Sequence, residues 1–168
     1  MQSNFILKMI RFLLDIQTSD IIIIADNSIQ KVDLYYVADF LEIEKNENAE
    51  YELSVKDIFR DLLYYWKSLL KVDSSELFLV YDLSDQYIEA FHLKNFDFKG
   101  RQYLKVTKEY TQDLSGWTVT KSTSLSELKS KKWEVDKDFS TQVNRETILR
   151  GIDWSLENLR INTNLVNL

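Results

Sequence analysis

Apolar residues recur with helical spacing from Ser54 to about Lys71. They occupy positions i, i+3, i+4 and i+7, which make one face of an α-helix. The stripe consists of Val55, Ile58, Phe59, Leu62, Leu63, Trp66, Leu69 and Leu70. Ser54 stands where an N-cap is needed, and Asp57 lies near the positive end of the helix dipole. The pattern predicts an amphipathic helix that packs on a sheet.

After this helix the hydrophobic pattern changes to period two, which is typical of strands with one buried face. We interpret three segments as consecutive strands: Leu77–Leu83, Gln86–Leu93 and Arg101–Tyr110. Turn residues at Ser84-Asp85 and Lys99-Gly100 separate them, which predicts an antiparallel meander. Gly116–Thr120 is interpreted as a fourth strand.

The first 44 residues are patterned less clearly. Residues 4–17 are predicted to form a helix, and because they are apolar on many sides this helix should be largely buried. The segment Asp20–Ala25 is short and rich in β-branched residues, which predicts a central strand. The segment Val32–Glu44 fits a helix and a strand equally well.

The last third of the chain predicts two helices. A short helix begins at Ser124 or Ser126 and runs to Lys132, and a final helix spans about 144–160. Together with the meander, the helices predict an α+β fold whose central antiparallel sheet is packed by the 54–71 helix and the C-terminal helix. No Pro/Gly/Ser-rich linker divides the chain. We therefore expect a single globular domain over residues 1–168.

The composition removes most of the usual means of catalysis. The chain has no Cys, one His, three Gly and no Pro, so thiolate nucleophiles, Cys-based metal sites and Gly-rich phosphate loops are excluded. His92 lies within a predicted strand, and we interpret it as structural. Ser84 lacks the glycines of a nucleophile elbow, and we assign it to turn hydrogen bonding. We expect no cofactor, no metal and no enzyme activity.

Targeting signals are not evident in the sequence. The longest apolar run falls well short of the roughly 20 residues needed to span a membrane. No small-residue cleavage pattern follows the apolar N-terminal stretch. The lack of cysteine fits a reducing compartment. We therefore expect a cytoplasmic protein.

Excess negative charge is confined to the first half of the chain. The net charge is −6, and residues 1–84 carry 15 acidic against 8 basic residues. The acids are densest in and just after the 39–52 segment, and we predict a partner-binding surface formed by Asp39, Glu42, Glu44, Glu47, Glu50, Glu52 and Asp57. Such a surface attracts basic proteins. The alternative is that these residues only solvate a loop.

Nucleic acid is not expected as a partner. The best local case is Lys121–Lys137, where lysines lie beside Trp133. Acidic residues in the same segment leave it close to neutral, whereas nucleic-acid sites need an excess of basic residues.

One family resemblance adds to this interpretation. The run Phe78–Ala90, the strand that ends near Tyr110, and Ser115–Val119 resemble the meander of small acidic immunity proteins from bacterial polymorphic-toxin and contact-dependent inhibition systems. The resemblance covers about a quarter of the chain and includes no catalytic motif. It implies a cytoplasmic protein that binds and blocks one cognate toxin, commonly a nuclease with a basic cleft.

Three functions therefore remain open. The favoured hypothesis is an immunity protein that binds a basic toxin through its acidic surface, with a monomer slightly favoured. The second is an acidic secretion-type chaperone, which would hold an effector along a sheet edge or groove and would normally be dimeric. The third is a small enzyme that uses carboxylates alone, which requires a cleft that brings two acids together.

Overall fold

In the described residues, two antiparallel sheets and four helices form the α+β fold that the sequence predicts. The structure is a computed structural model, and it describes residues 10–15, 20–25, 28–33, 36–43 and 54–161. In chain order the elements are β1 (Arg11–Asp15), β2 (Asp20–Ala25), β3 (Ser28–Asp33), α1 (Val37–Phe40), α2 (Val55–Lys71), β4 (Glu76–Leu83), β5 (Ile88–Phe98), β6 (Arg101–Thr111), α3 (Leu125–Lys129), β7 (Glu134–Val143) and α4 (Arg145–Ile161).

The larger sheet has the order β4-β5-β6-β7, and all of its neighbouring strands are antiparallel. This confirms the predicted meander and both of its turns. β5 extends five residues beyond the predicted Leu93, because it pairs with β6 along its whole length, from Ile88↔Thr111 to Phe98↔Arg101. The longer pairing produces a β5–β6 hairpin of two 11-residue strands.

The predicted fourth strand at Gly116–Thr120 is wrong. This segment forms turns, in which the Thr118 amide donates to the Ser115 carbonyl oxygen at 3.0 Å and the Thr118 hydroxyl bonds to the same residue. Side-chain bonds of this kind compete with strand pairing. The fourth strand is β7, to which the sequence analysis assigned no element, and its Phe139, Thr141 and Val143 are buried.

Helix α2 confirms the predicted amphipathic helix. Ser54 Oγ accepts the Asp57 amide at 3.1 Å, as expected for an N-cap. Six residues of the predicted stripe are buried: Ile58, Phe59, Leu62, Leu63, Trp66 and Leu70. The Trp66 indole donates to the Val80 carbonyl oxygen at 3.0 Å, which fixes the helix against β4. The stripe therefore forms the centre of the core.

Helix α4 confirms the predicted C-terminal helix and lies against α2 and β1. Ile148, Ile152 and Leu156 are buried, and Leu159 is partly buried. Lys67 of α2 forms an ion pair with Asp153 of α4. Short helix α3 begins after Ser124, whose hydroxyl accepts the Glu127 amide at 3.2 Å, and it ends before the predicted Lys132.

The predicted helix over residues 4–17 is wrong where it can be compared. Residues 11–15 form strand β1, and the rest of the prediction, except Ile10, lies outside the described residues. β2 supplies a hydrogen-bonding partner on one side, and on the other Ser155 of α4 accepts the Phe12 amide at 3.1 Å. A stretch that is apolar on many sides can form either a helix or a strand, so the segments that pack against it decide which one forms.

The neighbouring predictions fare better. β2 has the predicted bounds and is the middle strand of the small β1-β2-β3 sheet. The ambiguous segment 32–44 contains both kinds of structure, since it includes the end of β3 and the short helix α1. No helix in the described part of the chain is long and apolar enough to cross a membrane.

Candidate partner-binding surface

Three of the seven predicted acidic residues fall in the described structure. Asp39 lies on α1, Glu42 follows it in a turn, and Asp57 lies in the first turn of α2; Asp39 and Glu42 are exposed. The other four, Glu44, Glu47, Glu50 and Glu52, lie outside the described residues. The structure therefore locates the beginning and the end of the predicted acidic surface.

The Asp57 side chain stabilises the first turn of α2. Its Oδ2 accepts the Ser54 hydroxyl at 2.5 Å, and its Oδ1 contacts Arg60 Nη1 at 2.6 Å. The Ser54 hydrogen bond is the main reason that the pKa of Asp57 lies below its ordinary value, and Arg60 adds to the effect. A carboxylate already bonded to its own helix has less to offer a partner, so Asp57 contributes mainly to capping.

Asp39 and Glu42 follow Tyr36 closely along the chain, and Tyr36 belongs to an aromatic pair that the sequence did not single out as a site. Tyr36, directly before α1, packs edge-on against Trp117, with ring centroids 5.3 Å apart. Trp117 is nevertheless 67% exposed, the highest value among the large apolar side chains described. Asp39 is three residues after Tyr36 and so projects from the same side of the turn.

The loop that carries Trp117 is fixed at several points. The Gly116 amide donates to the Ser84 carbonyl oxygen at 2.6 Å, and Val119 is 1% exposed. The Lys121 amide donates to the Phe40 carbonyl oxygen of α1 at 2.7 Å. Trp117 thus remains at the surface because residues on both sides of it are held, and a held aromatic loses little conformational freedom on binding.

Glu42 connects the same loop to the end of α1. Its Oε2 accepts the Ser122 hydroxyl at 2.7 Å, and its backbone has a φ of 53°, in the left-handed region. Phe40 packs edge-on against Tyr65 of α2, with centroids 5.6 Å apart, which fixes α1 to the core. We call Tyr36, Asp39, Glu42 and Trp117 the Trp117 surface.

The Trp117 surface has the chemistry of a protein-binding site. Exposed Trp and Tyr are the residues that most often dominate interface energetics, and carboxylates around them favour a basic partner. The loop segment 115–123 contributes one cation, Lys121. Four further glutamates follow Glu42 within ten residues along the chain. The surface therefore combines an aromatic anchor with negative charge.

A second group of polar residues is buried around His92. The His92 side chain is 4% exposed; its Nδ1 lies 2.8 Å from Glu109 Oε2 on β6, and its Nε2 lies 2.6 Å from Glu76 Oε1 on β4. Each ring nitrogen can donate to its carboxylate only when it carries hydrogen. The sequence predicted a structural role for His92 but revealed neither partner.

This buried group links three strands and α3. The Thr107 hydroxyl donates to Glu109 Oε1 at 2.7 Å, and Lys129 Nζ of α3 lies 2.7 Å from Glu76 Oε2. We call Glu76, His92, Thr107, Glu109 and Lys129 the His92 cluster. The strand pairs Glu76↔Lys94 and Phe78↔His92 bring Glu76 to the sheet face that carries His92. Only strand register could have revealed this contact.

The pKa values of both glutamates are lowered. Burial opposes this by raising the pKa of Glu109, but hydrogen bonds from His92 and Thr107 outweigh it. For Glu76 burial again raises the pKa, and hydrogen bonds from Lys129 and His92 prevail. Both carboxylates are therefore stabilised in their charged form by the folded structure.

Stability should consequently fall in acid. A carboxyl group whose folded pKa lies below its ordinary 4.5 adds stability above that pH, and the contribution is lost as the pH falls through the folded pKa. We expect the free energy of unfolding, measured by urea denaturation, to drop from pH 7 to pH 4 and below. In Glu109→Gln this drop should be smaller, while Glu157→Gln, on the exposed side of α4, should match the wild type. An equal drop in Glu109→Gln would contradict the prediction.

The open cavity beside α2 does not bring two carboxylates together. It has a volume of about 260 Å³ and lies where the end of α2 meets β6, and Asp73 is the only acid that lines it. Arg145 at its wall is held by the carbonyl oxygens of Leu70, Val72 and Ser74. Within the described ranges, no group of three or more His, Asp or Glu is arranged to hold a metal ion.

Comparisons with protein-family models, with curated proteins and with solved structures found no match. The resemblance to immunity proteins thus stays a prediction from the sequence.

Proposed function

We propose that this chain is a binding protein without catalytic activity, and that it neutralises one basic partner protein through the Trp117 surface. The partner that fits best is a toxin domain whose substrate cleft is basic. The proposal depends most on one observation, the 67% exposure of a Trp117 that packs against Tyr36, the residue directly before the helix that carries Asp39.

A fixed, exposed indole buries a large apolar area at little entropic cost, so it serves as an anchor. Negative charge around it accelerates the encounter with a basic surface and disfavours acidic proteins. A nuclease binds polyanionic substrate through cationic residues, and an acidic inhibitor can compete for that cleft.

The test compares variants in the recovery and binding of a partner. The tagged protein is used to isolate partners from its native lysate. The affinity of purified variants for the partner that is recovered near stoichiometry is then measured. Trp117→Ala should weaken affinity tenfold or more, because truncation of an interface anchor typically reduces the binding free energy by more than about 1.4 kcal/mol. Tyr64→Ala, which removes an aromatic that is 43% exposed on α2, is the matched control and should bind normally.

A charge-reversal variant distinguishes the effect of the carboxylates on the association rate from the effect of Trp117 on affinity. Asp39→Lys with Glu42→Lys should slow association chiefly at low salt, because screened charges lose their long-range effect. The recovered protein should be basic, and its toxicity should be relieved by the wild type and not by Trp117→Ala. Normal binding by both variants, or an acidic partner, would refute the proposal.

A secretion-type chaperone is the second candidate function. The observation that favours it is the outer edge of β7, which pairs with β6 on one side and with no other strand in the described part of the sheet. An extended effector segment could add to this edge by backbone hydrogen bonding. A dimer in solution, together with recovery of a secreted effector whose binding does not depend on Trp117, would favour this function.

A further inference from the structure

The β5–β6 hairpin projects beyond the rest of its sheet. The first residue of β4, Glu76, pairs with Lys94, and the last residue of β7, Val143, pairs with Leu104. Residues 96–103 therefore have no further strand beside them among the described residues. This projecting end shares no residue with the Trp117 surface.

One face of the projecting hairpin combines aromatic and basic side chains. Residues opposite each other in an antiparallel pair lie on the same face, and this face contains the pairs Lys94↔Lys105, Phe96↔Tyr103 and Phe98↔Arg101. The Phe96 and Tyr103 rings stack with centroids 5.7 Å apart, and Phe98 is 47% exposed. We call these six residues, with Lys99 in the turn, the hairpin face.

The cations of the hairpin face are largely uncompensated. Lys99, Arg101 and Lys105 form no ion pair with any described residue, while Lys94 lies 3.6 Å from Glu76. The only acid in the projecting segment is Asp97, and its pairing with Gln102 puts it on the opposite face. That opposite face adjoins the cavity at the end of α2, where Asn95 and Gln102 line the wall.

We propose that the hairpin face binds single-stranded nucleic acid. Bases stack on exposed aromatic rings, and lysine and arginine between the rings neutralise the phosphates. Phe96 and Phe98 are two residues apart on β5, so their Cα atoms are about 7 Å apart. The sequence-based expectation of no nucleic-acid partner rested on the near-neutral segment 121–137. The hairpin face includes four cations and no acid of its own, and among the described residues only its Lys94 pairs with a carboxylate, that of Glu76.

The arrangement favours a nucleic acid over an anionic membrane. Insertion into a bilayer requires apolar side chains at the tip, but the tip of this hairpin is Lys99-Gly100. Two of the three rings, Phe96 and Tyr103, are half-buried on the flat face behind the tip. With a net charge of −6 on the chain, binding should be weak and strongly dependent on salt.

The test is fluorescence anisotropy with a labelled oligothymidine of about 20 nucleotides, at about 50 mM salt and above. The wild type should bind saturably. Lys99→Gln, Arg101→Gln and Lys105→Gln in one variant should lower affinity at least tenfold and reduce the salt slope by about 2, at roughly 0.7 per phosphate contact. Phe98→Ala should lower affinity about fivefold or more through lost stacking.

A matched triple variant controls for net charge. Lys121→Gln, Lys131→Gln and Lys132→Gln remove three cations elsewhere on the chain and should leave binding close to that of the wild type. Absence of saturable binding, or an equal loss in both triple variants, would overturn the proposal. So would co-sedimentation with phosphatidylserine vesicles in place of oligonucleotide binding. These outcomes do not bear on the Trp117 surface, whose variants are distinct.

Discussion

Replacing His92 with leucine is expected to lower the free energy of unfolding by about 3 to 5 kcal/mol, the usual cost of removing one partner from a buried charged group. The change leaves Glu76 and Glu109 without the His92 ring that lies between them and contacts both carboxylates. Glu109 is 8% exposed, so water cannot replace the lost donor fully. Stacking of His92 on Phe78, at 4.0 Å between centroids, is lost as well. Urea denaturation at pH 7 measures the effect.

A double variant distinguishes charge from packing. His92→Leu combined with Glu109→Leu removes the buried charge on β6 along with its partner, and apolar replacement of buried ionic groups is often neutral or stabilising. The double variant should therefore recover at least half of the stability lost by His92→Leu alone. A loss below about 1 kcal/mol in the single variant, or no recovery in the double, would show that the His92 cluster is not energetically coupled.

Gly151→Ala is expected to destabilise the protein by about 2 kcal/mol, although alanine is the better helix former. A Cβ atom at Gly151 of α4 would overlap the carbonyl oxygen of Ile10, immediately before β1. The obstructing atom belongs to the backbone, so α4 and β1 must separate, and overpacking of this kind costs about 1 to 3 kcal/mol or more. The gain in helix propensity of about 1 kcal/mol offsets only part of the loss.

The control for this prediction is Glu157→Ala, on the exposed side of the same helix. It introduces alanine without a steric conflict and should change stability by about 0.5 kcal/mol or less. If Gly151→Ala were as stable as the wild type in urea, Ile10 would not lie against α4, and the position of β1 in this fold would need revision. The prediction thus tests the element that sequence analysis assigned wrongly.

Local sequence patterns were sufficient to predict the elements whose hydrophobic periodicity fits only one type of secondary structure. The apolar stripe and Ser54 cap predicted α2, and the alternation and turn residues predicted β4, β5 and β6. The turn at Ser84 also follows the prediction, since its hydroxyl accepts the Gln86 and Tyr87 amides at 3.2 and 3.0 Å. In these segments the information needed lies within a few residues of each position.

Other elements depended on partners distant in the sequence. Residues 11–15 became a strand because β2 and α4 flank them, and residues 116–120 became turns because Ser84 and Phe40 hold the loop. β7 alternates from Glu134 to Val143, yet closely spaced charges obscured the pattern. For residues 11–15 the apolar pattern alone cannot distinguish a helix from a strand, because a segment that is apolar at successive positions fits both.

The sequence by itself determined the α+β class, the two long helices, the meander, the charge asymmetry and the lack of cysteine chemistry. Only the tertiary structure decided which polar and aromatic residues meet. It placed Trp117 beside Tyr36, and it brought Glu76 and Glu109 to His92 from strands on either side. The physical reason is that secondary structure follows from local periodicity, whereas a site is formed by strand register and packing between segments far apart in the chain.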